Sequence, residues 1–257
     1  MNSTATTPRP TGPRTSALDR DVAMTLAADE YARFLDLLRS LDDDDWSKPT
    51  ECPPWDVRAM AGHTVGMALM ATGPKETLRQ QAKVMRRGGV PLDTLTALQV
   101  EEHADLSTTE LVDRFAEVGP RAARGRRRTP AFVRRMPLPQ KQDVGGRTEK
   151  WTNGFLLDTI LTRDPWMHRM DIARATGKAP TLTPDHDGVI VADVVAEWAG
   201  RHGRPYDLVL AGPAGGLFTH GAGDELRLDA VDFCRLLSGR EADHPVQHPL
   251  LTVSVPF

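Results

Sequence analysis

Two acid–base side chains lie four residues apart in the segment Arg163–Asp171, which reads RDPWMHRMD. On a helix, Asp164 and His168 would share one face, with Cβ atoms roughly 5–6 Å apart. His63, on the apolar face of a separate predicted helix, could supply a third ligand to the same metal ion. Two imidazoles and one carboxylate suit a divalent metal such as zinc. Three protein ligands would leave a coordination position for water or substrate, which is typical of a catalytic site.

Interpretations without a metal remain open for the same residues. Asp164 precedes Pro165, so it could be the N-cap of a helix that begins with proline and bind backbone N–H groups. A histidine on an apolar face, such as His63, is more often a hydrogen-bonded core residue than a ligand. Spacing also leaves three rival ligands, which are Asp171, Glu102 and His103.

The first element expected to support this site is a long amphipathic helix. Residues 1–16 are rich in Pro, Gly, Ser and Thr and predict a disordered tail. Beyond them, apolar residues recur at steps of three and four, which predicts one buried helix face. This face comprises Ala23, Ala27, Tyr31, Phe34, Leu38 and Leu41. The adjacent carboxylates of Asp42–Asp45 disfavour continuation of the helix.

The second predicted helix carries His63. Asp56 is placed to cap this helix. Its inward face comprises Met60, His63, Met67 and Met70. Pro74 and the basic stretch up to Gly89 then interrupt the helical pattern. We therefore expect the imidazole of His63 to point into the interior.

Two more helices complete the predicted helical region. The capping box Ser107–Glu110 begins one of them. Its apolar stripe comprises Leu111, Phe115, Val118 and Ala122. The last helix covers roughly residues 152–176 and ends at Gly177, a C-terminal stop. Four helices joined by loops predict a four-helix bundle over residues 17–180.

Shorter elements after Pro180 predict a small α+β domain over residues 181–257. The predicted helices are Val189–His202 and Asp229–Gly239. The predicted strands are Asp207–Leu210, Leu217–His220, Glu225–Leu228 and Leu251–Val255. The second and third of these strands are expected to form a hairpin. The predicted fold class is therefore α+β, with an N-terminal four-helix bundle followed by a small α+β domain.

The composition and charge of the chain argue against nucleic-acid and membrane partners. The chain has 257 residues, and its 32 basic and 35 acidic residues give a net charge of −3, so an overall nucleic-acid binder is not indicated. No segment approaches the ~18–20 apolar residues of a membrane span, and no apolar signal core is present, so we expect no membrane partner and a cytoplasmic location.

Three local features are candidates for further sites. The run Arg121–Arg135 contains seven arginines and could contact phosphates, but a mobile, solvated connection between helices is expected instead. The loop Gly212–Gly216 lacks the Lys-Ser/Thr of a phosphate-binding loop, so nucleotide binding is not expected. Cys52 and Cys234 are expected to be structural, because nothing nearby in the sequence lowers the pKa of either thiol. A nucleophilic thiol would then come from outside the chain.

Several of these segments resemble the mycothiol-dependent maleylpyruvate isomerase family, whose members are DinB-like metal-binding four-helix bundles. Trp46, the segment Pro49–Arg58 and His63 together are similar to the family's first helix–loop–helix. The segment Arg163–Ala173 is similar to its second motif. The segments similar to its C-terminal domain are Asp207–Pro213, Asp232–Arg240 and Val255–Phe257. The resemblance covers about residues 17–257.

The resemblance implies a set of site residues. His63, Asp164 and His168 would bind a divalent metal, usually zinc. The family's motif commonly has Glu where this chain has the shorter Asp164, and Pro165 can kink the helix, which would shift the carboxylate. Arg240 matches a C-terminal arginine that the family uses at its active site, where it could grip a carboxylate. Alternatively, Arg240 is a solvated side chain near a helix end, and the substitute candidate is Arg235.

The resemblance also implies mycothiol as a cosubstrate. A bound metal would favour the thiolate, which adds to an activated double bond of a small electrophile such as maleylpyruvate. Departure of the thiol after bond rotation gives cis–trans isomerisation, whereas release of the adduct gives thiol S-transfer. Two other functions remain as alternatives: a non-catalytic small-molecule or protein binding module without metal chemistry, and a metalloenzyme that activates water instead of a thiol.

Overall fold

The computed structural model describes residues 12–244 and 246–257, and the chain forms two compact units. The helical unit comprises Leu18–Ala131 and Leu157–Thr181. The mixed unit comprises Phe132–Leu156, Leu182–Phe257 and the described residues before Leu18. The elements below confirm the predicted fold class.

The helices of the described ranges are α1 (Arg20–Arg39), α2 (Val57–Ala71), α3 (Pro74–Arg87), α4 (Pro91–Glu101), α5 (Thr108–Arg128), α6 (Ala131–Arg135), α7 (Asn153–Phe155), α8 (Leu161–Thr176), α9 (Val189–His202) and α10 (Ala230–Leu237). The strands are β1 (Gln142–Val144), β2 (Arg147–Glu149), β3 (Tyr206–Ala211), β4 (Gly216–His220) and β5 (Glu225–Asp229). Across the described ranges, none of these helices has both the length and the apolar character required to cross a membrane.

Four helices form a closed ring in the helical unit. Helix α1 packs against α5 and α8, and α2 packs against the same two helices. The predicted face of α1 is buried from Ala23 to Leu38, whereas Leu41 lies beyond the end of the helix. The predicted stripe of α5 is fully buried. The predicted four-helix bundle is therefore confirmed, and it places α2 directly beside α8.

The cap predicted for α2 is present. Asp56 is its N-cap, and its carboxylate accepts a hydrogen bond from the backbone N–H of Ala59 at 2.8 Å. We expect Asp56→Ala to destabilise the protein by about 1 kcal/mol, because one N-terminal N–H loses its acceptor. Asp56→Asn keeps an acceptor and should cost much less. Urea unfolding of the two variants measures the difference, and equal losses would contradict the capping role.

The interruption predicted between Pro74 and Gly89 is wrong. This stretch forms α3, and a further helix, α4, follows it. Helix α3 buries the side chain of Gln80, which donates to the carbonyl of Gly66, and leaves Leu78 and Met85 exposed. An apolar stripe could not reveal this helix, because polar contacts rather than apolar burial attach it to the bundle.

The prediction of a mobile connection over the arginine run is also wrong. Residues up to Arg128 belong to α5, and α6 follows. The side chains of Arg126 and Arg134 are buried, with Arg126 fully inaccessible. The basic run therefore contains buried structural residues and is not a solvated connection.

The described part of the mixed unit contains two small sheets. Strands β1 and β2 form an antiparallel pair, and a second sheet has the order β4-β3-β5. Strand β3 pairs antiparallel with β4 and parallel with β5. The hairpin expected between β4 and β5 is therefore wrong, because these strands lie on opposite sides of β3. The terminal strand expected at Leu251–Val255 is also wrong, since Pro249–Thr252 forms a 3₁₀ turn and no strand follows it in the described residues.

The predicted N-terminal tail is only partly described. Residues 1–11 lie outside the described residues. Further along, the backbone N–H of Arg14 donates to Lys150 O at 2.8 Å, and the backbone N–H of Thr152 donates to Arg14 O at 3.0 Å. The guanidinium of Arg14 lies 2.8 Å from the carboxylate of Glu197. The predicted boundary near residue 180 stays a prediction, while the segment 132–156 groups with the mixed unit.

Candidate metal centre

The contact between α2 and α8 brings the three predicted ligands together. His63 is 3% exposed on α2, and His168 is 6% exposed on α8. Oδ1 of Asp164 lies 3.6 Å from Nε2 of His63 and 3.4 Å from Nε2 of His168. One ligand atom from each of the three residues lies within 4.8 Å of the others. Helical spacing thus predicted that Asp164 and His168 share a face of α8, and the packing of α2 against α8 brings His63 to them.

These distances fit the requirements of a small divalent ion. Ligand atoms about 2.0–2.2 Å from a tetrahedral zinc are themselves roughly 3.4 Å apart. The two distances from Asp164 Oδ1 have this size. Among the described residues, the buried Oδ2 atom of Asp164 has no hydrogen-bond partner. A buried carboxylate oxygen without a donor is suited to a cation. The donor set therefore fits a divalent metal.

Asp164 does not cap a helix. Thr152 is the N-cap of α7, a π turn spans Leu156–Ile160, and α8 continues from there with Pro165 in its interior. The alternative in which the Asp164 carboxylate accepts hydrogen bonds from backbone N–H groups at the start of a helix is therefore wrong. The predicted extent of this helical segment, with Gly177 as its left-handed C-cap, is confirmed.

Two of the three rival ligands are engaged elsewhere. Glu102 accepts hydrogen bonds from Arg79 and Lys83, and these cations lower the pKa of Glu102 to about 2, with Arg79 contributing most. His103 donates from Nδ1 to the carbonyl of Gln99 at 2.7 Å. Neither side chain belongs to the cluster around Asp164.

Asp171, the third rival, lies on the other side of the His168 ring. Its Oδ2 atom is 3.2 Å from Nδ1 of His168, and its side chain is fully buried. A carboxylate on one imidazole nitrogen fixes the ring orientation and directs the other nitrogen towards an ion. Sγ of Cys52 lies 3.9 Å from the same oxygen. Sequence spacing could not show whether Asp171 is a metal ligand or a support for His168. That depends on the orientation of the His168 ring, whose Nδ1 faces Asp171 and whose Nε2 faces Asp164.

We expect Asp171→Asn to weaken divalent-metal binding by about 10–100-fold, since the amide is a poorer acceptor for the Nδ1 proton. Titration with Zn²⁺ against a competing chromophoric chelator measures the change. Glu51→Gln is the control, because Glu51 also contacts α8, through Arg174, but lies on a partly exposed surface. Unchanged zinc affinity in Asp171→Asn would exclude the supporting role.

Burial and charge oppose each other in this cluster. Burial disfavours ionised Asp164, but the imidazoles of His168 and His63 outweigh it and hold the pKa of Asp164 well below its usual range. Burial likewise disfavours protonated His168, but the Asp164 carboxylate raises the pKa of His168 well above its usual value. A metal ion and this proton would compete for the same nitrogen.

Trp55 forms an aromatic wall beside the cluster. Its ring centroid lies 4.9 Å from that of His63 and 6.2 Å from that of His168. The side chain is half-buried, whereas Trp166 is fully buried and Trp151 nearly so. Trp55 therefore flanks the candidate ligands, whereas Trp166 is a core residue.

The predicted catalytic residue Arg240 belongs to the mixed unit, shortly after α10. It is half-buried, and its Nη1 atom donates to the hydroxyl of Ser238 at 3.1 Å. Arg235, the substitute candidate, is buried and donates from Nε to the carbonyl of Glu241 at 2.9 Å. Arg240 is the more accessible of the two, and its catalytic role stays a prediction.

Comparison with known proteins decides the family. The family model described as the mycothiol maleylpyruvate isomerase N-terminal domain matches residues 27–173, which is more than half of the chain. The chain belongs to this family. The part of this chain that matches the family model contains His63, Asp164 and His168, together with Asp171.

Solved structures share the fold of this family member. A crystal structure of a mycothiol-dependent maleylpyruvate isomerase is similar at a TM-score of 0.57 and 16% identity, over 90% of this chain and 94% of that chain. A histidine-to-alanine mutant of a mycothiol-dependent maleylpyruvate isomerase is similar at a TM-score of 0.57 and 14% identity, with the same coverage. At these identities the likeness shows the fold alone. No curated protein sequence matches the chain.

Proposed function

We propose that this protein is a thiol-dependent cis–trans isomerase for a small electrophilic molecule, with mycothiol or a similar small thiol as cosubstrate. Family membership and the fold shared with mycothiol-dependent maleylpyruvate isomerases support the reaction class. The observation that carries the proposal is the convergence of His63, Asp164 and His168 on one point between α2 and α8. Maleylpyruvate is the first substrate to test.

The side chains have distinct roles in this proposal. His63 and His168 would hold a divalent metal through Nε2, and Asp164 would hold it through a carboxylate oxygen. A divalent metal, with zinc the first to test, would stabilise the thiolate form of the cosubstrate, which is its nucleophilic form. Asp171 would keep the ring of His168 oriented. Arg240 would bind a carboxylate of the substrate through its two-pronged guanidinium.

The chemistry explains why a thiol is regenerated in isomerisation. Addition of the thiolate to an activated carbon–carbon double bond leaves a single bond, about which the adduct can rotate. Expulsion of the thiolate then restores the double bond in the other geometry. No thiol is consumed, whereas S-transfer consumes one thiol for each molecule of product. Thiol consumption therefore distinguishes the two reactions.

The geometry does not favour a binding module without metal chemistry. That function required Asp164 to act as a cap and the three polar side chains to satisfy one another. Asp164 instead lies within α8, and in the described part of the chain neither its Oδ2 atom nor Nδ1 of His63 has a hydrogen-bond partner.

The test combines metal content with a thiol-dependent assay. The protein purified without chelators should contain about one divalent ion per chain. Maleylpyruvate should isomerise only when both the metal-loaded protein and mycothiol are present, with the thiol concentration unchanged. Treatment with a chelator should abolish turnover, and addition of Zn²⁺ should restore it.

Three outcomes would contradict parts of the proposal. Consumption of one thiol per product would replace the isomerase with an S-transferase. Turnover without any thiol would favour activation of water by the metal. A protein that contains no metal and takes none up on titration would remove the basis of the proposal.

A further inference from the structure

The arginine run of α5 and the proline of α8 meet at one point of the helical unit. Pro165 has no backbone N–H, so the carbonyl of Leu161, four residues earlier, cannot accept its usual helical hydrogen bond. Nη1 of Arg126 donates to this carbonyl at 2.8 Å. A side chain of α5 thus replaces the backbone bond that the proline removes from α8.

The same guanidinium binds two further groups of this segment. Nε of Arg126 donates to the carbonyl of Leu157 at 2.8 Å, and Nη2 donates to Oγ1 of Thr162 at 2.6 Å. Leu157 lies in the π turn that precedes α8, and Thr162 lies in the first turn of α8. Arg126 therefore spans the change from π to α geometry with three donors aimed at three fixed acceptors.

Burial distinguishes Arg126 from the neighbouring arginines of the run. Its side chain is fully buried, and its Cζ atom lies 5.7 Å from the centroid of the Tyr31 ring. Burial of a guanidinium is costly unless its donors are satisfied. The neighbouring Arg127 has no such role, because it is exposed and pairs with Asp21 at 3.4 Å.

Asp164 lies immediately beyond the segment that Arg126 holds. It follows Thr162 by two residues and directly precedes Pro165. A proline in a helix interior removes a restraint and permits a kink at this place. We propose that Arg126 is a positioning residue, which fixes the first turn of α8 and thereby sets the Asp164 carboxylate opposite His63. This inference rests on the proposed function for the metal that Asp164 would bind.

A double-mutant cycle between Arg126 and Pro165 tests the inference. Arg126→Met should weaken Co²⁺ binding by about 10–100-fold, as for other residues that orient a metal ligand, and should change the visible absorption of the bound Co²⁺. In the Pro165→Ala background, the new N–H can donate to Leu161 O. There the loss caused by Arg126→Met should be smaller by roughly threefold or more.

Controls separate positioning from general loss of structure. Arg127→Met removes an adjacent arginine and should leave both the Co²⁺ affinity and the spectrum unchanged. Circular dichroism checks the fold of every variant. If Arg126→Met does not fold, Arg126→Lys replaces it in the cycle, since one ammonium can reach only part of the three-acceptor set.

The outcomes distinguish this inference from the proposed function. Co²⁺ spectra and affinities equal to those of the unaltered protein in Arg126→Met would overturn the positioning role alone. Equal losses in both backgrounds would overturn the part of it in which Arg126 replaces the hydrogen bond that Pro165 removes. Failure of the unaltered protein to bind Co²⁺ would overturn the metal centre and this inference with it. A loss that depends on Pro165, accompanied by an altered spectrum, is the expected result.

Discussion

Replacement of His63 or His168 by alanine is expected to remove the divalent metal and abolish turnover, while the helical fold persists. Metal binding to a protein site is worth on the order of 10 kcal/mol. Loss of one of three ligands should remove roughly a third of this free energy, which corresponds to an affinity loss of a few hundredfold. Elemental analysis, Co²⁺ titration and circular dichroism of the purified variants measure the three quantities.

The two variants should differ in stability. His168 donates to the buried carboxylate of Asp171, so His168→Ala also removes that bond. Nδ1 of His63 makes no hydrogen bond within the described residues, so His63→Ala should cost less stability. His103→Gln is the matched control, because His103 is also a buried histidine of the helical unit, bound to Gln99 O. Metal content that is normal in either alanine variant, or lost in His103→Gln, would contradict the assignment.

Helical periodicity predicted the parts of this site that depend on one helix at a time. It placed His63 on an inward face of α2 and put Asp164 and His168 on one face of α8. These predictions depend on spacing within about two turns, which the sequence specifies directly. The bundle interior followed from the same signal, as with Phe34 and Phe115, which pack with ring centroids 5.1 Å apart.

The roles of Asp171 and Arg126 depended on contacts that spacing does not specify. Asp171 is three residues after His168, so helical spacing places it near the face of α8 that carries Asp164 and His168. Only the rotamer of His168 decides which of its ring nitrogens contacts the Asp171 carboxylate. The sequence placed Arg126 in a basic run expected to be solvated, because the Leu161 carbonyl that it binds lacks its helical donor only through Pro165, and Thr162 Oγ1 comes within reach only in the folded unit. Side-chain acceptors can be read from a sequence, whereas unpaired carbonyls emerge only with the backbone geometry.

The same limit explains the errors in the mixed unit. Strands β4 and β5 have suitable composition and a Gly-rich link, which is the usual signal of a hairpin. The true hairpin joins β3 to β4 around Gly212, which has φ of +87°, a conformation that favours glycine. The parallel pairing of β3 with β5 is not encoded by any local turn, so only tertiary packing selects it.

The second large expected effect concerns the buried ion pair that joins α1 to α8. Glu30 and Arg169 form two parallel hydrogen bonds of 2.8 and 3.0 Å, with side chains only 1% and 3% exposed. Glu30→Gln should lower the free energy of unfolding by about 3–5 kcal/mol, because the buried guanidinium loses its carboxylate. Urea unfolding, followed by circular dichroism, measures this loss.

Two comparisons make the prediction specific to burial. Glu30→Met combined with Arg169→Met removes both charges and should recover most of the stability, since an apolar pair needs no desolvation of charge. Glu51→Gln breaks the more exposed pair with Arg174 on the same helix and should cost at most about 1 kcal/mol. Arg169 is adjacent to His168, so the buried pair also restrains the turn of α8 that carries this candidate ligand. Similar losses in Glu30→Gln and Glu51→Gln would show that burial of the pair does not determine its contribution.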